Sequence, residues 1–482
     1  MEKRHSLIKM SGGACIALFS LLMVSCAQDG FTDETFDRGV RNTTLLSPSV
    51  DDITVTASPD GSQTTIAWPT VFGAGGYKCS VFDVTNPEKP VIIDEVADSL
   101  VDGCSLVISR AEETNYKFTI QTIGDTKLNN KDAESTTEVA FTTFVPAYAA
   151  IPSGTDLYEY FQSNPLPAGN TDELPVDLES GGSYTISDAL DFGANRVTLR
   201  CTNKENRPTI TYGEKGGITT SAPLAIKNIK FECAQSDDAV IALSKTPAEG
   251  ILGKGDYYIV NGAFNIVNCE FNDVKAQFIY DNDVKYCLSN AIIDNCIVKL
   301  SSSASSGVSG NAVIYFKQGF INSLLISNST FYQTSTDADA KYFVQYNNSG
   351  RCDRAGFNRN SISYTNNTFY NVVKSGQWGN YNGFAGRNTS DWLMTNNIFV
   401  DCGNKQIARR FLHGRGGQAT ATFSFNTYMF EGEYENTENY DASGTNIEED
   451  PKFANPAGGD FTVGGAAQLE KRTGDPRWLP NN

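Results

Sequence analysis

The chain has 482 residues, a formal net charge of -18 and only two histidines, His5 and His413. At roughly 100–200 residues per domain, that length predicts two to four domains or one long repeat array, and 40% hydrophobic residues suffice for packed cores. With His5 in a removable leader, one histidine remains, which excludes two-histidine zinc sites and HExxH chemistry; the acidic balance disfavours neutralising nucleic-acid phosphates over the whole surface and leaves room for a local basic patch.

Residues 1–25 join a charged start (Lys3, Arg4, Lys9) to an apolar run from Ala14 to Val24, then Met23-Val24-Ser25-Cys26. The run is too short for a spanning helix and ends in a small residue, as processed leaders do. It resembles a bacterial lipobox, which implies cleavage before Cys26, lipidation of its thiol, and an outer-membrane lipoprotein anchored at the cell surface. The leader carries a net +2, so the mature chain stands at -20. Residues 26–48 are polar and read as a tether. Nine cysteines remain without CxxC spacing, which predicts neither a disulfide framework nor a zinc site. Cys79 and Cys104 form a candidate pair in the first folded domain; most of the others read as small buried hydrophobes.

Residues 49–147 alternate apolar and polar over short runs, among them Thr65-Ile66-Ala-Trp68, Tyr77-Lys-Cys-Ser-Val81 and Tyr116-Lys-Phe118-Thr-Ile120, separated by Gly, Pro, Asn and Asp. Such runs predict short antiparallel strands of an immunoglobulin-like β-sandwich. Trp68 and the Tyr116 strand resemble fibronectin type III, and both aromatics read as core rather than as sugar platforms. Residues 148–180 read as a linker.

From residue 181 to 482 a repeat takes over. An apolar residue, a spacer, Asn, two spacers and an aromatic or Val recur seven times, from Ile226-Lys-Asn228-Ile-Lys-Phe231 to Phe423-Ser-Phe425-Asn-Thr-Tyr428. The corner positions are Asn228, Asn268, Asn295, Asn328, Asn366, Asn396 and Phe425, spaced by 40, 27, 33, 38, 30 and 29 residues, so loops of variable length lie elsewhere in each unit. Asn tolerates the left-handed backbone that a tight corner between two strands needs. Stacking at about 4.8 Å would let each Asn amide bond the next as an internal ladder. No unit buries its apolar face alone, so the array is one cooperative solenoid. Val197–Leu199 through Thr209–Tyr212 reads as the first coil, Asp450–Phe453 with Gly459–Val463 as a terminating one, and Gly474–Trp478 as a final cap.

The Asn-corner repeat resembles the right-handed parallel β-helix of the pectate-lyase-like superfamily. With the lipobox and the fibronectin-like region, the chain resembles an uncharacterised group of Bacteroidetes-type surface lipoproteins tied to pectin and glycan utilisation. The implied fold class is all-β, an immunoglobulin-like sandwich followed by a right-handed parallel β-helix.

Charge is uneven. Between Arg351 and Arg415, nine basic residues face Asp353, Asp391 and Asp401, a net +6 inside an acidic chain, which marks a candidate anion site. Lys285, Lys317, Arg354, Arg387 and Arg415 fall 9 to 12 residues before successive corners, near the end of one recurring strand. A cation ladder at coil spacing suits a chain of carboxylated sugars, gripped by Arg forks. His413 stands two residues before Arg415, and Trp378, Tyr381 and Trp392 are candidate stacking platforms. The expected ligand is an acidic, most plausibly pectic, polysaccharide, captured beside an outer-membrane glycan transporter, with no nucleic acid involved.

The rival is a polysaccharide lyase acting by β-elimination on a uronate, which needs a base and a cation on the substrate carboxylate. The resemblance implies Arg or Lys as base, often with calcium; Lys317, Arg354, Arg387, His413 and Arg415 are the candidates. The Trp-x-Asp-His and Arg-x-Pro-x-x-Arg motifs of pectate lyases are absent. Asp281-Asn-Asp283 offers oxygens to calcium, although an ordinary Asx turn is the preferred reading of it. No paired carboxylates, P-loop or Gly-x-Ser-x-Gly elbow stands out. A structural adhesin is the third reading.

Overall fold

The computed structural model describes residues 40–59, 62–168, 171–301, 312–334, 340–347, 352–381, 383–384, 386–409 and 418–480. Cys26 with its lipobox, His413 and Arg415 lie outside them. The chain divides into two compact units at Phe144 and Val145.

The first unit is antiparallel. Thr54–Ala57, Gln63–Ala67 and Ser105–Ser109 form a three-stranded sheet; Ala74–Asp83, Asn115–Gly124 and Thr137–Thr142, with the short Val91–Ile92 and Ser99–Val101, form a five-stranded one. Strict alternation in Asn115–Gly124 buries Tyr116, Phe118 and Ile120 against Ile66, Trp68, Cys79 and Val81. Trp68 stacks on Phe118 at 5.7 Å. Cys79 and Cys104 are not joined in a disulfide, and burial pushes the Cys79 thiol up to about 12.

Among the described residues the second unit carries three long sheets of ten, ten and seven strands, laid down in turn by successive passes of the chain and parallel except for the last strand of the second sheet, the pattern of a β-helix. The first sheet runs from Ala149–Ile151 to Thr420–Ser424; the second begins with Ser183–Ile186 and closes with Glu433–Tyr434; the third runs from Ala189–Asp191 to Gln377–Tyr381. The corner between first and second sheets is the repeated motif. Asn228, Asn268, Asn295, Asn328, Asn366, Asn396 and Phe425 all take positive φ between 49° and 60°, so the left-handed corner is met even where Phe replaces Asn. The residue two before each corner forms one inward column of the first sheet (Ile226, Ile266, Ile293, Ile326, Tyr364, Met394, Phe423). The residue three after it forms the facing column of the second, where Phe369 stacks on Phe399 at 5.0 Å and Phe399 on Tyr428 at 5.6 Å.

The corner ladder is broken, and a second ladder runs beside it. Asn268 donates to Asn228 at 2.9 Å and Asn295 to Asn268 at 3.2 Å, but Asn328 turns to Asp294 at 2.8 Å. One residue later, fully buried, Asn367 donates to Asn397 and Asn397 to Asn426, each at 3.0 Å.

Both ends depart from the sequence reading. Residues 149–178 are no linker: Ala149–Ile151 and Leu174–Leu178 pair in parallel in the first sheet, ahead of Val197–Arg200, and the helix Leu157–Ser163, capped by Asp156, buries Leu157 and Phe161. At the other end, residues 450–478 form neither a closing coil nor an end cap. They run back over the outside of the second sheet. Phe461 packs on Tyr332 at 5.1 Å and Tyr370 at 5.5 Å, and Asp475 accepts from Thr330 at 2.7 Å. Arg477 donates to Asn295 at 2.7 Å, 182 residues away. The terminal segment is therefore a strap across several coils.

Candidate functional site

The turns from the third sheet into the first carry the cation column. Lys285 precedes the strand Tyr286–Asp294, Lys317 follows Ala312–Phe316, Arg354 lies in the short helix Cys352–Ala355, and Arg387 falls between Gln377–Tyr381 and Ser390–Thr395. Four successive coils thus present a cation at one corner. Among the described residues other cations of the segment lie elsewhere: Arg359 forks onto Asp391 at 2.6 and 2.9 Å beside the strands Asn360–Thr365 and Ser390–Thr395 of the first sheet, while Lys374 and Lys405 lie over the Phe430 ring, at 5.5 and 5.0 Å, on the corner leaving the second sheet.

Carboxylates one coil earlier meet two of the four. Lys317 reaches Asp283 at 2.7 Å and Arg387 reaches Asp353 at 3.4 Å, all of these side chains being substantially exposed. The Asp283 hydrogen bond raises the Lys317 pKa, favouring its ammonium form. Lys285 donates to the Gly255 carbonyl at 2.6 Å and lies 4.7 Å over the Tyr257 ring. Gly255 in turn is pressed against the Arg354 carbonyl: a Cβ there would stand 2.5 Å from it. The loop Lys254–Asp256 therefore brings Lys285 and Arg354 onto one support.

Asp281 organises the lower part of this corner. It is fully buried, and its carboxylate accepts from the backbone N–H groups of Gln318 at 2.7 Å, Gly319 at 2.9 Å and Asp283 at 3.2 Å. The approach is possible because residue 319 is glycine, where a Cβ would meet the Tyr286 carbonyl at 1.7 Å. Burial raises the Asp281 pKa to about 6 against the pull of these amides. Asp281-Asn-Asp283 is thus an Asx turn whose first carboxylate is occupied by backbone donors. Among the described residues no group of three or more His, Cys, Asp or Glu side chains is placed to hold a metal ion, and no helix is long and apolar enough to cross a membrane.

The aromatic candidates fail as platforms. Trp378 is fully buried and stacks on Phe343 at 4.4 Å inside the solenoid; Tyr381 and Trp392 are interior as well. Sequence reasoning missed a different group. Tyr280, Tyr315 and Tyr342 cluster apart from the interior core, with Tyr280 stacked on Tyr315 at 5.6 Å. Asn347 donates to the Tyr315 hydroxyl at 3.4 Å, and Lys341 lies 5.5 Å over the Tyr342 ring. The signal was the aromatic placed two residues before Lys317, on the polar side of its strand. Tyr315 and Tyr342 are largely covered, so Tyr280 is the accessible member.

Three family models match the sequence, each described as a domain of unknown function: one over residues 1–181, DUF4957 over 182–334, and a third over 362–478. No curated protein matches. A crystal structure of a pectate lyase from Pectobacterium carotovorum is similar over 82% of this chain and 98% of that one, at 11% identity and a TM-score of 0.14. A likeness of that size bears on neither fold nor activity.

Proposed function

We propose that the protein binds an acidic, pectic-type polysaccharide along the corner between its third and first sheets, as a lipid-anchored cell-surface receptor for glycan capture beside a transporter. In this reading the first unit is a fibronectin type III-like spacer, the solenoid is right-handed, and Cys26 carries the lipid. The observation that carries it is the placement of Lys285, Lys317, Arg354 and Arg387 on four successive turns of one corner. Strands stacked about 4.8 Å apart repeat a cation along the solenoid axis, a pattern that suits a ligand with repeating carboxylates. The exposed carboxylates of Asp283 and Asp353 hold two of these cations in place. Such surface pairs are worth about 0–1 kcal/mol, little enough for a ligand carboxylate to displace. His413 and Arg415 extend the column by sequence.

The state of Lys317 supports binding over elimination at that one of the candidate bases. A lyase base must accept a proton, whereas Asp283 keeps the Lys317 amine protonated, and the Asp281 carboxylate is closed to solvent. The test incubates the mature chain with polygalacturonate, with and without calcium, following retention in affinity gels and ultraviolet absorbance of unsaturated products. Retention without product is expected; product formation would establish the lyase, and no retention on any acidic glycan would leave the adhesin.

A further inference from the structure

We propose that Asp281 is a positioning residue of this corner and sets its affinity for anions, by tying the turn of Asp283 to the turn of Lys317 and placing a buried negative charge beside Lys317. The proposal rests on the reading of the corner as an anionic-glycan site. Its geometry is specific: one carboxylate accepts from Gln318 and Gly319 on the later coil and from Asp283 on its own, while the Asp281 N–H donates to the Tyr315 carbonyl at 3.1 Å. The two turns it joins are those bridged outside by the Lys317–Asp283 pair.

The groups that face Asp281 are Asp283 and Tyr280 from its own turn and Tyr315 and Lys317 from the next coil. Burial and the neighbouring carboxylates raise the Tyr280 pKa, and burial raises that of Tyr315, so both phenols stay neutral. Among these groups Lys317 is the one cation, set against Asp281 and Asp283 when all are ionised. Protonation of Asp281, whose pKa stands at about 6, removes one of the two negative charges beside Lys317. A uronate keeps its own charge there, an ordinary carboxyl group having a pKa of about 4. The sign is therefore fixed: uronate binding strengthens as pH falls through about 6, and binding of a neutral glycan does not.

The experiment uses the mature chain and its Asp281→Asn variant. Calorimetric titration with polygalacturonate, and with a neutral galactan as control, is run at about pH 7.5 and about pH 5, alongside amide NMR of Gln318 and Gly319 without glycan. Wild type is expected to bind polygalacturonate roughly fivefold tighter at the lower pH, with both amides titrating at a midpoint near 6. Asp281→Asn is expected to show neither change and to bind at both pH values about as tightly as acidified wild type. Amides that do not titrate in this range, or a variant with the wild-type pH profile, would overturn the proposal. Titrating amides with no polygalacturonate bound at either pH would instead overturn the function reading, and with it the glycan half of the proposal.

Discussion

Asn426 accepts through its side-chain carbonyl from both the backbone N–H and the side-chain amide of Asn397 on the preceding coil, at 3.1 and 3.0 Å. Asn397 accepts from Asn367 in the same way, Asn367 accepts from the Ser329 N–H, and the chain ends where Asn426 donates to the buried Asp441 at 3.2 Å. Each rung thus satisfies donors of its neighbour in a dry interior, where an orphaned polar group is expensive.

Asn397→Ala is expected to destabilise the protein by about 2–4 kcal/mol, since it strands the Asn367 donors and leaves a cavity. Asn396, one residue earlier, has φ 56°, so Asn396→Ala should cost about 1–2 kcal/mol through the left-handed backbone and Asn396→Gly less. Urea unfolding of the three variants checks the order; equal losses for Asn397→Ala and Asn396→Gly would contradict it.

The strap is held by Phe461, fully buried among Tyr332, Tyr370, Phe453 and Trp478. Phe461→Ala should cost about 3–5 kcal/mol, expressed as local release of the strap, because the coils beneath keep their own ladders. Limited proteolysis should then cleave within residues 450–480 while the β-sheet circular dichroism persists. Loss of the sheet signal would show instead that the strap is needed for the solenoid to stand.

The corner was legible in the sequence because the left-handed backbone demands Asn at one position per coil, and the inward columns because the motif fixes residues on either side of it. The buried ladder was not, since its column reads Ile229, Cys269, Cys296, Ser329, Asn367, Asn397 and Asn426, a stack that shares burial but no common side chain. The strap depends on contacts such as Arg477 to Asn295, which no local pattern encodes. Counting back from the corners brought out Lys285, Lys317, Arg354 and Arg387, yet their partners stayed hidden because Asp283 and Asp353 belong to the preceding coil. Trp378 was misread because its charged neighbours in sequence lie on other faces.

Asp281 and Asp475 are both buried with pKa values raised to about 6, burial being the main cause in each. Their unfolded values lie in the ordinary range near 3.8. Between those limits the folded state binds more protons than the unfolded one, so stability falls as pH rises through the window. Burying each charge at neutral pH costs on the order of 3 kcal/mol by this linkage. The melting temperature should accordingly be higher at about pH 5 than at about pH 7.5, with a shallower pH slope in Asp281→Asn and in Asp475→Asn. A wild-type melting temperature that drops on acidification to about pH 5 would reverse the assigned direction.

Asp353 and Arg387 give the glycan reading a test in which two substitutions act in opposite directions. Arg387 is the last of the four described cations of the column and its partner is exposed, so the pair is weakly held. If uronates compete with Asp353 for the guanidinium, Asp353→Asn should tighten polygalacturonate binding by about twofold to fivefold, whereas Arg387→Ala should weaken it by a similar factor. Lys405, stationed over Phe430 on a different corner, supplies the control: Lys405→Ala removes the same charge from the same segment and should leave retention unchanged. Raising the salt concentration should shrink all of these differences, because exposed charges are screened over about 8–10 Å. Equal losses in Arg387→Ala and Lys405→Ala would mean that net charge alone governs retention and that the corner has no special part in it.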